Sequence, residues 1–458
     1  MYVTIGYDDQ FIYKKVDDYT IVTSGMDMTF SKIENIDLLY NNGTTLLLVD
    51  TIDDKNILKR KKGYAKNLIL RKSYDLFDYN TYQELDLDIT KNKHIVDLAS
   101  INCNIDFLNW WINNNIMLEY SAISINQACF NGDIEILNWW LTSGLTLKYD
   151  NEAMDGGNIE ILNWWIESGL ELKYSNESID YASYNGDIEI LDWWIKSGLE
   201  LKYDNEAIDN GDIKTLNWWI ESGLELKYSN KSIDSASHNR DIEILNWWIN
   251  SGLELKYSNK SIDECRNHET VSVLEWWKNS GLELKYSNYS MDNAYNVKVL
   301  EWWKNSGLEL KYSNYTMDNA YNVKVLEWWK NSGLELKYTR FSLDCIPGIK
   351  ILEWWKNSGL ELKYSSIAID DACSSGEIEI LEWWFNSGLT LKYTNISIDR
   401  AFENGYIDIL DAWIKSGFEI KHSKHAIKQT EYFSKSIDWW KNSGLDQEYI
   451  CQIEFLSD

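Results

Sequence analysis

LELKYSNESIDYASYNGDIEILDWWIKSG, residues 170–198, is one complete copy of a unit that recurs along the chain. Asn185-Gly186 in its middle and Ser197-Gly198 at its end are helix stops, and the polar residues ahead of each apolar run are helix starts. SIDYAS therefore predicts a short first helix capped by Ser175 or Asn176, and IEILDWWIKS a second helix capped by Asp187. The exit, LELKY, alternates apolar and polar residues and reads as extended chain. One copy is thus helix, turn, helix and an extended loop.

The tryptophan pair marks the period. All 25 Trp of the 458 residues occupy this slot, the first of each pair at 110, 139, 164, 193, 218, 247, 276, 302, 328, 354, 383 and 439, with Ala412 in the same place in one further copy. Spacings of 25 to 29 residues over about 13 copies mean a repeat array, in which each copy buries its apolar face only by stacking on its neighbours. Weaker letters of the same plan at 87–111 start the array near residue 86. The expected architecture is an all-α repeat solenoid over 86–445, with a non-repeat head at 1–85 and a C-terminal cap or tail at 446–458. MYVTIGY, TTLLLVD and KNLILRK, with a turn at Asn42-Gly43, make the head a small α+β or mainly β element. In the short copies YASYNG shrinks to Gly156-Gly157 or loses three residues. That is about one helical turn, so the same face stays inward and the first helix becomes a stub.

Lys plus Arg number 44 against 72 Asp plus Glu, a formal net charge of −28. Such a surface repels phosphate backbones and anionic lipid, so the expected partner is a basic or neutral protein surface, with nucleic acid and membrane excluded. The six Cys are scattered, without a C-x-x-C pair, which argues against zinc and against a disulfide framework and for a reducing, intracellular compartment. The N-terminus has no signal-peptide pattern and no stretch approaches ~18 apolar residues. Five His form no nucleophile motif, and no phosphate-binding glycine loop occurs. No enzyme, cofactor or metal is expected. The basic run KNILKRKKGYAK (55–66) reads as a solvated loop of the head, with a nuclear-import signal as the sharper alternative.

A helical wheel of 159–167 puts the second Trp of the pair inside the apolar sector and the first at its margin. Trp140, Trp165, Trp194, Trp219, Trp248, Trp277, Trp303, Trp329, Trp355 and Trp384 are accordingly the expected core. The first Trp is expected as a wedge between adjacent copies; an exposed ladder for sugars or Pro-rich peptide is the alternative. Residues 278–303 and 304–329 differ only at Ser290 versus Thr316, and such duplication preserves packing whether or not it adds a site. Recognition is expected where copies differ, at Glu177, Tyr181 and Tyr184, at Lys231, Ser235 and His238, at Lys260 and Glu264, and at Tyr289 and Asn293. Glu171 and Lys173 of LELKY are expected to join screened charge ladders.

Gly186, Ile188 to Ile195 and Gly198 follow the G-H-x-E-V-V-K-L-L-L…G run of ankyrin repeats, and Ile179 and Ala182 fall where T-P-L-H-x-A-A places its Leu and first Ala. The chain resembles a degenerate ankyrin array, with Asp180 in place of the histidine and about four residues of the hairpin finger missing. The resemblance implies first helices lining a concave recognition face and blunt or absent hairpin tips. S-G-L-E-L-K-Y-S and L-x-W-W, with the head segment NLILRKSYDLFDYNTYQELDLDI (67–89), resemble the ankyrin-repeat families of giant amoebal DNA viruses. That implies a monomeric, non-enzymatic scaffold that binds a host or viral protein in the host cytoplasm. A virion-associated structural component, a carbohydrate- or peptide-binding aromatic array and a ubiquitin-ligase adaptor are the alternatives; the head shows no F-box or BTB signature.

Overall fold

The computed structural model describes residues 2–16, 19–51, 62–320, 322–345 and 348–423, with 436, 439, 440 and 443. Most of the basic run at 55–66 and the tail at 446–458 lie outside the described residues. The chain divides into two compact units, Met1–Tyr228 and Ser229–Asp458.

The first unit opens with five strands, β1 (Tyr2–Gly6), β2 (Ile12–Val16), β3 (Tyr19–Lys32), β4 (Thr45–Thr51) and β5 (Gly63–Asp75). All neighbours are antiparallel in the order β1-β4-β5-β3-β2, and β1 also pairs with β3, so the sheet closes on itself. Alternating side chains fill it with Phe11, Val22, Met28, Phe30, Leu47, Val49, Ala65 and Leu68. Gly63 is dictated by that core, because a Cβ there would meet Phe30 Cζ at 2.5 Å. The head is mainly β.

Helices follow. After α1 (Tyr79–Glu84) the unit contains five pairs: α2 (Ile95–Ile101) with α3 (Ile105–Asn113), α4 (Ile123–Asn131) with α5 (Ile134–Thr142), α6 (Glu152–Asp155) with α7 (Ile159–Ser168), α8 (Glu177–Asn185) with α9 (Ile188–Ser197), and α10 (Glu206–Asp209) with α11 (Ile213–Ser222). The chain is therefore a mostly helical repeat array behind a strand head. Gly186 and Gly198 end α8 and α9 at φ +75° and +72°, a left-handed conformation that glycine adopts without a Cβ clash. Asn176 precedes α8 but its side chain does not cap it; Ser175 Oγ accepts the Glu177 amide at 3.1 Å instead. LELKY forms neither helix nor strand in any described copy.

The second unit repeats the plan with first helices Lys231–Asn239, Lys260–Asp263, Tyr289–Asp292, Tyr315–Asp318, Phe341–Asp344, Ile367–Ser375 and Ile396–Glu403. Every copy of 25 or 26 residues has a one-turn first helix, as turn deletion requires. The copy at Lys260–Asp263 is also one turn long despite its 29-residue spacing, because a 3₁₀ turn, His268–Thr270, takes up the difference before its second helix.

Adjacent copies are joined by three recurring contacts in each unit. The loop Tyr149 lays its ring on Trp165 of its own copy, centroids 4.7 Å apart, and donates its hydroxyl to the Glu171 carbonyl of the next copy at 3.0 Å. Lys173 of that next copy covers the same ring at 4.6 Å and donates to the Tyr149 carbonyl at 3.3 Å. Tyr286, Trp303, Glu309 and Lys311 repeat the arrangement in the second unit. The expected Glu–Lys ladder along LELKY is corrected in part: Lys173 and Lys311 serve tyrosine faces and carbonyls, an interaction of ~0.5–1 kcal/mol at exposed sites, and Lys311 also approaches the Glu309 carboxylate at 4.0 Å.

The second contact uses the Asp of S-I-D. Asp155 accepts from the Ser175 amide (2.8 Å), Ser175 Oγ (2.6 Å) and Ser178 Oγ (2.8 Å) of the next copy. Asp263 accepts likewise from Ser287. The third contact belongs to the tryptophans.

Candidate binding surface

Within each pair the two indoles meet edge to face, centroids 5.0–5.2 Å apart in Trp139–Trp140 and Trp302–Trp303 and most other pairs. Trp140, Trp165, Trp194, Trp219, Trp248, Trp277, Trp303, Trp329, Trp355 and Trp384 are 0–1 % exposed. The first Trp of the pair is half-buried in most copies, and its N–H is committed to the preceding copy. Trp164 donates to Asn138 Oδ1 at 2.8 Å, Trp218 to Asp192 Oδ1 at 2.8 Å and Trp354 to Glu327 Oε2 at 2.7 Å. The acceptor is always the residue just before the previous pair, so L-x-W-W is a complementary module whose x position is Asn, Asp or Glu. The Trp218 bond holds the Asp192 carboxyl below its ordinary range, and the Trp354 bond does the same for Glu327. The first tryptophans are therefore joints.

The indole N–H of the second Trp reaches into the first helix of the preceding copy. Trp140 donates to Ser100 Oγ (3.0 Å), Trp219 to Ser183 Oγ (2.8 Å), Trp277 to Ser237 Oγ (3.0 Å) and Trp413 to Cys373 Sγ (3.3 Å). Each acceptor sits on the final turn that short copies have lost. After a short copy the donor is left alone: Trp194, Trp303, Trp329, Trp355 and Trp384 have buried Nε1 atoms with no partner among the described residues.

One of these deletions opens a space. The one-turn α6 stands between the nine-residue α4 and α8, and the missing turn leaves a notch of about 660 Å³. Met154, Ala182, Ile190 and Trp194 contribute its apolar lining, and Phe130, Tyr181 and Tyr184 stand at its margin with 70 %, 55 % and 63 % exposure. Glu152, Asp155, Glu177 and Asp187 supply carboxylates, and no Lys, Arg or His among the described residues lines it.

The variable positions named from the sequence separate into three places. Glu177, Tyr181 and Tyr184 line this notch. Lys231, Ser235, His238, Lys260 and Glu264 line a polar recess of about 410 Å³ in the second unit, where His238 Nδ1 lies 3.2 Å from a Glu264 carboxylate oxygen. Tyr289 is exposed and stacked under the Arg266 guanidinium at 5.4 Å. Asn293 departs from expectation: it is buried and donates its amide to the Tyr289 carbonyl at 3.3 Å, because the one-turn helix ends there and needs a cap. Phe130, Glu152 and the unpartnered Trp194 N–H were missed by sequence reading. The signal that could have found them is the loss of Ser from the Gly156-Gly157 copy.

A variation on the Asp–Ser contact bounds the notch. In one copy Asn126 replaces the Asp and Asp150 replaces the Ser, exchanging donor and acceptor, with Asn126 Nδ2 to Asp150 Oδ1 at 2.7 Å. Two copies on, Asp204 replaces the Ser while Asp180 is retained, and Asn176 Nδ2 bridges both carboxylates at 2.7 and 3.0 Å. Burial, aided by the neighbouring Asp204 charge, pushes the Asp180 carboxyl up to about 6.

No family model matches the chain. It is 38 % identical over 140 residues to an uncharacterized protein of Acanthamoeba polyphaga mimivirus, a partial homologue that supports a mimivirus-like origin. The match takes in 28 % of this chain and 43 % of that protein, so the chain spans under half the length of the curated relative it matches. Among solved structures, a pentatricopeptide repeat protein in complex with an 18-nt RNA element is similar with TM-score 0.34 and 10 % identity, over 78 % of this chain and 58 % of the other. The pentatricopeptide repeat protein from maize is similar with TM-score 0.27 and 11 % identity, over 82 % and 70 %. The exclusion of nucleic acid made from charge is withdrawn, because net charge alone does not carry it; the first of these solved structures holds RNA. Net charge governs long-range repulsion and not the local chemistry of a groove. No helix among the described residues is long and apolar enough to cross a membrane.

Proposed function

We propose that the chain is a non-enzymatic scaffold that binds a protein partner through its row of first helices. The observation that carries this reading is the division of labour along the repeat. The first Trp of the pair, the x residue before it, the loop Tyr and Lys and the S-I-D aspartate direct their polar atoms to the neighbouring copy. The residues that change from copy to copy, Glu177, Tyr181, Tyr184, Lys231, His238 and Tyr289 among them, sit on first helices and face outward. Exposed aromatic residues beside charges are the composition of protein-recognition surfaces. An ankyrin type is the finer fold reading, supported by the G-D-I-E-I-L helix start and the S-I-D tripeptide and weakened by the missing hairpin finger. A viral protein acting in the host cell is the finer reading of origin, supported by the mimivirus relative.

The test is affinity purification from infected amoebae with the native chain and with a Tyr181→Ala, Tyr184→Ala variant. A discrete protein that co-purifies with the native chain and is lost with the variant supports the scaffold. Recovery solely with purified particles, unaffected by the variant, assigns the chain to the virion instead.

A further inference from the structure

The notch over α6 is more than a gap between helices. In the copies of Ser100, Ser183, Ser237 and Cys373, which retain a longer first helix, that residue on the final turn accepts the indole N–H of the next copy's second Trp, whereas Trp165, which follows α4, donates to the Ala153 carbonyl. At α6 both the turn and the acceptor are gone, and the notch occupies their place. Trp194 lines it, is 1 % exposed, and has an Nε1–H without a partner. A buried donor left unmet costs free energy that an incoming acceptor recovers. The one-turn first helices of the second unit from Lys260–Asp263 to Phe341–Asp344 are consecutive, so each short helix there neighbours another, whereas α6 has a full helix on either side.

We propose that this notch takes an extended segment of a partner protein bearing Lys or Arg. This rests on the scaffold reading above and adds the chemistry of the ligand. A backbone carbonyl of the segment accepts the Trp194 N–H, replacing the lost Ser. Its cationic side chain lies among Phe130, Tyr181, Glu152 and Glu177, where ring faces and carboxylates attract a cation and no basic side chain among the described residues lines the notch. The formal charge of −28 brings basic partners to the surface from a distance.

The experiment uses the full chain as bait for a phage-displayed library of random linear peptides, followed by synthesis of the enriched sequences and titration. The expected peptides carry at least one Lys or Arg. Their affinity falls by about tenfold or more in a Glu152→Lys, Glu177→Lys double variant and in Tyr181→Ala, both built on exposed positions, and is unchanged by Glu379→Lys, an exposed position on a second helix of the other unit. On peptide addition the Trp194 indole N–H resonance, assigned with Trp194→Phe, moves downfield. Enriched peptides without basic residues, or affinity retained in both notch variants, overturn the proposal. Loss of affinity with Glu264→Lys, in the polar recess of the other unit, instead overturns the notch while leaving the scaffold reading standing. No enrichment, together with no captured partner, removes both. A single-stranded RNA oligonucleotide that binds the double variant more tightly than the native chain, and is lost with Tyr181→Ala, assigns the notch to nucleic acid and overturns the proposal.

Discussion

Trp219 donates its indole N–H to Ser183 Oγ across the boundary between two copies, at 2.8 Å, and Trp194 one copy earlier has no Ser to receive its own. The contrast comes from four residues, since the copy ahead of Trp194 reads Gly156-Gly157 where the copy ahead of Trp219 reads YASYNG. Replacing Gly156-Gly157 with that six-residue sequence should restore the turn and the acceptor. Hydrogen exchange at the Trp194 indole should slow, and the first unit should gain stability on the order of 1–3 kcal/mol, the cost of an unmet buried donor. Ser183→Ala should lose a similar amount, because Ser183 Oγ also donates to the Ala207 carbonyl.

The two tryptophans of a pair should respond unequally. Trp355→Ala removes a side chain 1 % exposed and should cost about 3–5 kcal/mol. Trp354→Phe keeps a ring at the half-buried margin and loses the bond to Glu327, and should cost about 1 kcal/mol or less. Denaturant titration followed by hydrogen exchange within the second unit distinguishes them, since an array this long need not unfold in one step.

Asp180 makes part of the stability of the first unit depend on pH. Its folded value of about 6 lies above the ordinary carboxyl value, so the folded state binds more protons than the unfolded one between about pH 4 and 6. Stability contributed by the protonated form is present below that window and is lost as pH rises through it. Asp204→Ser, which restores the residue found at Ser175 and Ser258, should raise stability at pH 7 on the order of 1 kcal/mol and flatten the profile from pH 4 to 6. An unchanged profile would place the strain elsewhere.

Arg240 occupies the left-handed position that Gly132, Gly186 and Gly376 hold in sister copies, at φ +65°. Arg240→Gly should relieve about 1 kcal/mol of backbone strain, partly offset by loss of the exposed ion pair with Glu269. The net gain should grow at high salt, where the pair is screened.

Much of this was legible in the sequence because it is periodic. Asn185-Gly186 and Gly198 announce the helix ends, and the wheel around Trp164-Trp165 separates core from margin. A turn deletion is visible in the spacing as a loss of three or four residues. What was not legible depends on which copy meets which: the bond from Trp164 to Asn138, the Lys173 ammonium over Tyr149, and the exchange of Asn126 with Asp150 all join residues 24 to 26 positions apart. Pattern within one copy cannot specify them. The notch needed both facts, a missing turn and two complete neighbours, and Asn293 was misjudged because a one-turn helix buries the residue that a longer helix would expose.

The central claim is that the tryptophan pairs hold copies together and leave recognition to the first helices. Labelling the full chain with 5-fluorotryptophan, assigning resonances by single Trp→Phe changes and measuring the fluorine shift between H₂O and D₂O tests it most directly. The account predicts no solvent shift for Trp140, Trp165, Trp277, Trp303, Trp329, Trp355 and Trp384 and a partial shift for Trp139, Trp193, Trp276, Trp302 and Trp354. A second series as solvent-responsive as the first would contradict it.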